Sequence, residues 1–201
     1  MTKIKLCGLT RESDIFYANV LAPEYVGFIF AQKSRRYIPP EKAEILRKKL
    51  NASITPVGVF VDEEPECIAD LVDRNIIGIV QLHGNEDEVY IRHLRKLTQA
   101  KIIKAFQITS KADIIAANAS TADYVLLDSG GGSGELFDHA LIKGIARPYF
   151  LAGGLTPQNV RAAVEKFHPF AVDASSSLET DGFKDKTKMT AFVRAVRERM
   201  D

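Results

Sequence analysis

The residues able to do chemistry in this sequence stand at the ends of apolar runs. Cys7 closes "KIKLC" and is followed at once by Gly8 and a polar stretch; Asp128 closes "YVLLD". Gln81 and His83 end "IVQLH", Gly153-Gly154 follow "YFLA", and Asp173 and Ser175-Ser176-Ser177 end "FAVDASSS". A basic stretch, "QKSRRY", brings Lys33, Arg35 and Arg36 after the run at 25–30. A carboxyl at an apolar strand end is partly desolvated, which raises its pKa and keeps it protonated, fit to give a proton. An ionised thiol takes one, and the amides after Cys7 are positioned by sequence to stabilise a thiolate. Glycines let a ligand approach the backbone, and backbone N–H groups at a helix N-terminus bind an anion without Lys or Arg.

Each of these residues also has a plainer reading. Cys7 alone fits a small core residue. Arg36 fits a solvated surface charge, His83 a satisfied rim residue, and Asp128 a cap for the "SGGGSG" that follows. Cys67 falls at apolar spacing within a helical pattern and reads as core. Cys7, Cys67 and His83 show no metal-ligand spacing.

The elements that must position these residues repeat. Near-continuous apolar runs occur at 3–9, 25–30, 55–61, 77–82, 101–108, 123–129, 148–154 and 169–176. Continuous rather than alternating runs are the mark of strands covered on both faces, hence of a parallel sheet. Between them lie helical stretches. "PPEKAEILRKKL" (39–50) opens with proline and spaces Ala43, Ile45, Leu46 and Leu50 on one side; "EPECIADLVDRN" (64–75) repeats the device. "TPQNVRAAVEKF" (156–167) has Thr156 as N-cap and Pro157 at N1, and the last helix spans 185–200. Weaker helical patterns cover 12–22, 86–97, 110–118 and 138–145. Eight strands, each followed by a helix, predict a (β/α)8 TIM barrel, an α/β fold with the chain as a single compact domain. An open doubly wound sheet is the alternative, but no GxGxxG follows the first strand.

The 201 residues carry 27 Lys plus Arg against 26 Asp plus Glu, a net charge of +1. That balance gives no support to binding nucleic acid or a membrane surface. No apolar run reaches the roughly 18 residues of a membrane span. Two cysteines make no disulfide framework, and "MTKIKLCGLT" lacks a signal peptide's apolar core. The expectation is a cytoplasmic protein, with a monomer and a homodimer both open.

In a closed barrel the chemistry gathers at the C-terminal strand ends, with phosphate over strands 7 and 8. Strands 1 and 6 flank that pair, so Cys7 and Asp128 would stand on either side of a phosphorylated substrate. That arrangement moves protons: one group gives and the other takes. Here the ordered motifs "KLCGLTRESD", "VGFIF...KSRRYI", "PVGVFVDEEPE", "VQLHGNED", "LLDS...GGSGELFD", "LAGGLTPQNV", "AVDASSSLE" and "GFKD" resemble the phosphoribosylanthranilate isomerases, over nearly the whole chain.

The resemblance implies an Amadori rearrangement in tryptophan biosynthesis. N-(5′-phosphoribosyl)anthranilate becomes 1-(2-carboxyphenylamino)-1-deoxyribulose 5-phosphate, with no cofactor or metal. By position, Cys7 matches the general base and Asp128 the general acid. Arg36 matches the holder of the anthranilate carboxylate, and Gly153, Gly154 and Ser175 fall in the phosphate loops, near Asp173. His83 and Asp173 complete the expected substrate-binding set. Three features depart from the family's usual pattern: Ser177 stands where glycine is usual, Glu135 and His139 where Lys and Trp are usual, and Gln32 where proline is usual. A positive φ at Ser177 would cost about 1 kcal/mol or more.

Rival readings are another phosphosugar enzyme on the same barrel, a catalytically silent binding barrel, and a cysteine nucleophile paired with His83. Cys7 together with Asp128 disfavours the first, and Cys7, Asp128 and Arg36 together argue against the second. The third needs Cys7 and His83 within hydrogen-bond reach.

Overall fold

The computed structural model describes residues 1–129 and 139–198. Eight parallel strands close into a barrel in sequence order. They are β1 (Lys3–Cys7), β2 (Tyr25–Ile29), β3 (Thr55–Phe60), β4 (Ile79–Leu82), β5 (Lys101–Gln107), β6 (Tyr124–Asp128), β7 (Tyr149–Ala152) and β8 (Ala171–Ala174). Closure is made by β1 pairing with β8, Lys5 opposite Asp173 and Leu6 opposite Ala174. The closed ring decides between barrel and open sheet.

Helices α1 (Glu12–Leu21), α2 (Pro40–Lys49), α3 (Pro65–Asp73), α4 (Glu88–Leu97), α5 (Lys111–Ala119), α6 (His139–Ile142), α7 (Val160–Phe167) and α8 (Lys186–Arg197) form the outer layer. Their starts are set locally. The Asp87 carboxylate accepts from the amides of Val89 and Tyr90 at the head of α4, and Asp185 does the same for Thr187 and Lys188 at α8. Pro40 and Pro65 begin α2 and α3, where a missing N–H costs nothing. A two-stranded hairpin, β9 (Glu179–Thr180) and β10 (Phe183–Lys184), lies between β8 and α8; the sequence patterns did not predict it.

Two cores result. A mantle of apolar side chains, among them Ile4, Leu6, Phe28, Leu127 and Phe192, lies between strands and helices. A second cluster fills the barrel itself: Tyr25, Val57, Ile79, Ile103, Leu126, Phe150 and Ala171. It plugs the lower layers, and the cleft opens above it, at the C-terminal end of the barrel.

Three local expectations need correction. Ile45 is 52% exposed, and α2 buries Ala43 and Leu46 instead. Cys67 is exposed, because the buried stripe of α3 runs through Pro65, Ile68, Ala69 and Leu71 and Cys67 lies off it. Thr156 caps a turn, its hydroxyl accepting from Gln158 and Asn159 amides, and α7 begins only at Val160. The glycine-rich stretch after Ser129 and Glu135 lie outside the described residues; His139 begins α6.

Candidate active site

One cleft opens at the C-terminal end of the barrel. Cys7, Arg36, His83, Asp128, Gly153, Gly154, Asp173 and Ser175 all line it. The residues singled out from sequence, though spread over the chain, are therefore brought together. Cys7 at the end of β1 and Asp128 at the end of β6 are separated around the ring by β8 and β7. The Asp128 side chain is 25% exposed, and its Oδ2 lies 3.6 Å from His83 Nε2. His83 Nδ1 faces Gln81 Nε2 at 2.9 Å. With Gln81 donating, the ring proton sits on Nε2 and points at Asp128. Both ring nitrogens are thus directed at Gln81 and Asp128, which removes the support for a Cys7–His83 nucleophile pair.

Cys7 is buried, and its sulfur is pressed against β2: a Cβ on Gly27 would lie 2.5 Å from Sγ. Burial raises the thiol pKa above its ordinary value; the charge of Lys5 opposes the rise and Asp173 adds to it. The expected help from the amides after Cys7 is absent. Gly8 N–H and Leu9 N–H both donate to the Gly27 carbonyl, at 2.9 and 3.1 Å, so neither serves the sulfur.

Arg36 is not the loosely solvated charge its position in "KSRRY" suggests. Its Nε–H donates to Glu179 Oε1 at 2.5 Å and its Nη2 to Oε2 at 2.8 Å. This bidentate pair uses one edge of the guanidinium. Of the five N–H donors, those on the Nη1 side remain for a ligand in the cleft that Arg36 lines. Lys184 Nζ donates to Glu179 Oε1 at 2.6 Å and to the Ser175 carbonyl at 2.9 Å. Ser175 Oγ in turn donates to the Cys7 carbonyl at 3.0 Å. Burial works to raise the Glu179 pKa, but hydrogen bonds from Arg36 and Lys184 hold it below the ordinary carboxylate value. The neighbouring Arg35 is 66% exposed and reaches Glu179 only at 3.3 Å.

At the β7 and β8 ends, Gly153 and Gly154 both have positive φ, 85° and 63°. Gly153 tolerates no side chain: a Cβ would fall 2.6 Å from Asp128 Oδ1. Ser177 does not have positive φ; it lies in a short 3-10 turn and donates to the Leu155 carbonyl at 2.5 Å. The strain feared from the missing glycine is therefore not present. Asp173 lies one residue layer below Ser175, with Oδ2 2.7 Å from Lys5 Nζ. Among the described residues, no group of three His, Cys, Asp or Glu is arranged to hold a metal ion.

Sequence reading missed Lys5, Glu179 and Lys184. A signal existed for Lys5. It stands two positions before Cys7, so the strand's period of two places both on one face.

The fold and the cleft define a class: a (β/α)8-barrel enzyme with its site on the C-terminal face. The profile of the N-(5'phosphoribosyl)anthranilate (PRA) isomerase family matches residues 4–195. The N-(5'-phosphoribosyl)anthranilate isomerase of Clostridium acetobutylicum is 44% identical over 207 residues, covering 98% of this chain and 99% of that one. The crystal structure of phosphoribosyl anthranilate isomerase from Thermotoga maritima superposes with a TM-score of 0.89 at 37% identity, covering 98% and 99% of the two chains. A further crystal structure, of such an isomerase with reduced 1-(o-carboxyphenylamino)-1-deoxyribulose 5-phosphate, gives 0.86 at 35% identity and the same coverage. The chain belongs to the N-(5'-phosphoribosyl)anthranilate isomerase family.

Proposed function

We propose that this chain carries out the isomerase step of tryptophan biosynthesis with Asp128 as general acid and Cys7 as general base. The observation carrying this reading is that a thiol and a carboxyl from β1 and β6 line one cleft, with the β7 and β8 loops between them. Asp128 protonates the furanose ring oxygen, and the C1′–O bond breaks to leave a Schiff base. The Cys7 thiolate removes the C2′ proton, giving an enolamine that tautomerises to the ketone. One proton is given and one taken, so each turnover ends with Asp128 ionised and Cys7 protonated. The pair is reset by proton exchange with solvent as product leaves.

Arg36 holds the anthranilate carboxylate through the guanidinium edge that Glu179 leaves open. The phosphate rests on backbone amides of Gly153, Gly154 and Ser175; both glycines have positive φ, and without side chains they let a ligand approach the backbone closely. His83 lies beside the acid and steadies it; Asp173 belongs to the layer beneath. We read the chain as one domain acting in the cytoplasm. It works as a monomer or a homodimer; the Thermotoga maritima relative is described as dimeric, and monomers generated from it have also been crystallised.

The test is turnover of N-(5′-phosphoribosyl)anthranilate by Cys7→Ala and Asp128→Asn. Each is expected to lower kcat at least about a hundredfold, the lower end of acid–base contributions. Near-normal turnover in Cys7→Ala would return the thiol to a small residue packing the rim.

A further inference from the structure

One layer below the cleft floor sits a charge that the acid–base scheme leaves unused. Lys5 has no exposed surface. It and Cys7 stand two apart on β1, so both side chains lie on one face of the strand, Lys5 the residue before Cys7 on that face. Across the β1–β8 seam its register partner is Asp173, and the two are joined at 2.7 Å. Asp173 Oδ1 is buried and has no hydrogen-bond partner among the described residues. A pair kept for stability alone is a poor solution here. Burying two charges costs several kcal/mol per ion, and hydrophobic residues of similar volume often do as well or better.

The charged groups facing the Cys7 sulfur come from four elements. They are Lys5 from β1, Asp173 from β8, Lys184 from β10 and Arg36 from the loop after β2. Arg36 and Lys184 each have Glu179 as a close partner, at 2.5 and 2.6 Å. Lys5, by contrast, is paired with a carboxylate that has an oxygen left over.

We propose that Lys5 is the positioning residue of the base: its ammonium is the counter-charge of the Cys7 thiolate, and Asp173 sets how much of that charge the sulfur receives. The directions of the electrostatic influences agree. Burial drives the thiol pKa up, the charge of Lys5 pulls it down, and Asp173 pushes it up. The consequence for turnover rests on the reading of Cys7 as base; the consequence for the thiol does not.

The test is the pH profile of Cys7 alkylation by iodoacetamide, followed by mass spectrometry. It is run in a Cys67→Ser background because Cys67 is exposed. Lys5→Met is expected to move the alkylation midpoint up and slow the reaction near neutral pH by at least about tenfold, one unit of thiol pKa. Asp173→Asn is expected to move it down, because the ammonium then turns wholly to the sulfur. Lys5→Arg keeps the charge and should restore most of the reactivity. Opposite signs from the two halves of one ion pair are what a merely structural role cannot give. Where Lys5→Met does not fold, Lys5→Met with Asp173→Asn carries the same arm, its midpoint again above wild type. An unmoved midpoint in folded Lys5→Met, or shifts of the same sign in Lys5→Met and Asp173→Asn, overturns the proposal. If alkylation shifts and the pH profile of kcat does not, Lys5 stands as counter-charge and Cys7 is not the base.

Discussion

Replacing Glu179 by glutamine should both loosen the fold and spoil substrate binding, through the same cluster of hydrogen bonds. The substitution keeps the volume and removes the charge. In the wild type, the 5%-exposed carboxylate accepts from Arg36 at 2.5 and 2.8 Å and from Lys184 at 2.6 Å. Afterwards Arg36, 16% exposed, and the buried Lys184 face a neutral amide, one end of which is itself a donor. Removing one partner of a buried ion pair costs about 3–5 kcal/mol, mostly from the charges left behind. For a chain of this length that is a fall in Tm of roughly 6–20 °C. The sign with pH follows from the carboxyl, whose pKa is held below its ordinary value. Its contribution is fully present above the unfolded value, about 4.3, and is lost as pH falls through the lower folded value. Wild-type Tm should therefore drop more steeply than that of Glu179→Gln below about pH 4.3. Differential scanning calorimetry across that range measures both effects, and KM should rise with little change in kcat. A double-mutant cycle with Arg36→Met should show strong coupling, because the two residues share one pair of bonds. A Tm loss of less than about 2 °C, with additive effects in the cycle, would show that the pair is solvated and that Arg36 is held by something else.

Other perturbations separate the parts of the cleft. Arg36→Ala should raise KM for N-(5′-phosphoribosyl)anthranilate strongly, while Arg35→Ala, at a 66% exposed position, should change it little; equal small effects would place the carboxylate elsewhere. Gly153→Ala puts a methyl 2.6 Å from Asp128 Oδ1 on a backbone of φ 85°. It should lower kcat more than it raises KM, and a normal kcat would mean the acid does not need its observed position. Crystals grown with inorganic phosphate should show the ion on the Gly153–Gly154 and Ser175 amides; density at Lys33 or Arg35 instead would move the phosphate site.

The sequence betrayed most where chemistry interrupts a simple pattern. A parallel strand covered on both faces is nearly all apolar, so Cys7 and Asp128 stand out simply by ending such runs. The eight runs give the closed ring once they are counted. What the pattern conceals is pairing over long separations. Lys5 reads as a polar start to a strand, and only the closure of β1 on β8 reveals that it is buried against a residue 168 positions away. Arg36 reads as surface charge until Glu179, 143 positions on, is brought against it. The hairpin that delivers Glu179 and Lys184 has strands of two residues each, too short for any periodicity to show. The amides after Cys7 failed as thiolate donors for a related reason: β2 runs alongside, and its Gly27 carbonyl takes them first.

These hidden pairs explain how a barrel can keep so many charges near one thiol. The interior below them is filled by Tyr25, Ile79, Leu126 and Phe150, with Tyr25 and Phe150 rings 5.5 Å apart. That plug and the apolar mantle supply the hydrophobic burial, at about 25 cal/mol per Å², above which the polar layer sits. Lys5 and Asp173 stand opposite each other on β1 and β8. Glu179 draws Arg36 and Lys184 into one cluster at the edge, where Lys184 also holds the Ser175 carbonyl. A single chain of contacts therefore runs from the guanidinium through Glu179, Lys184 and Ser175 to the Cys7 carbonyl. Binding a carboxylate at one end and a phosphate near the middle would order that chain as a whole. That chain ends on the Cys7 backbone, so what the cleft binds is coupled to the strand end that holds a thiol whose pKa burial raises.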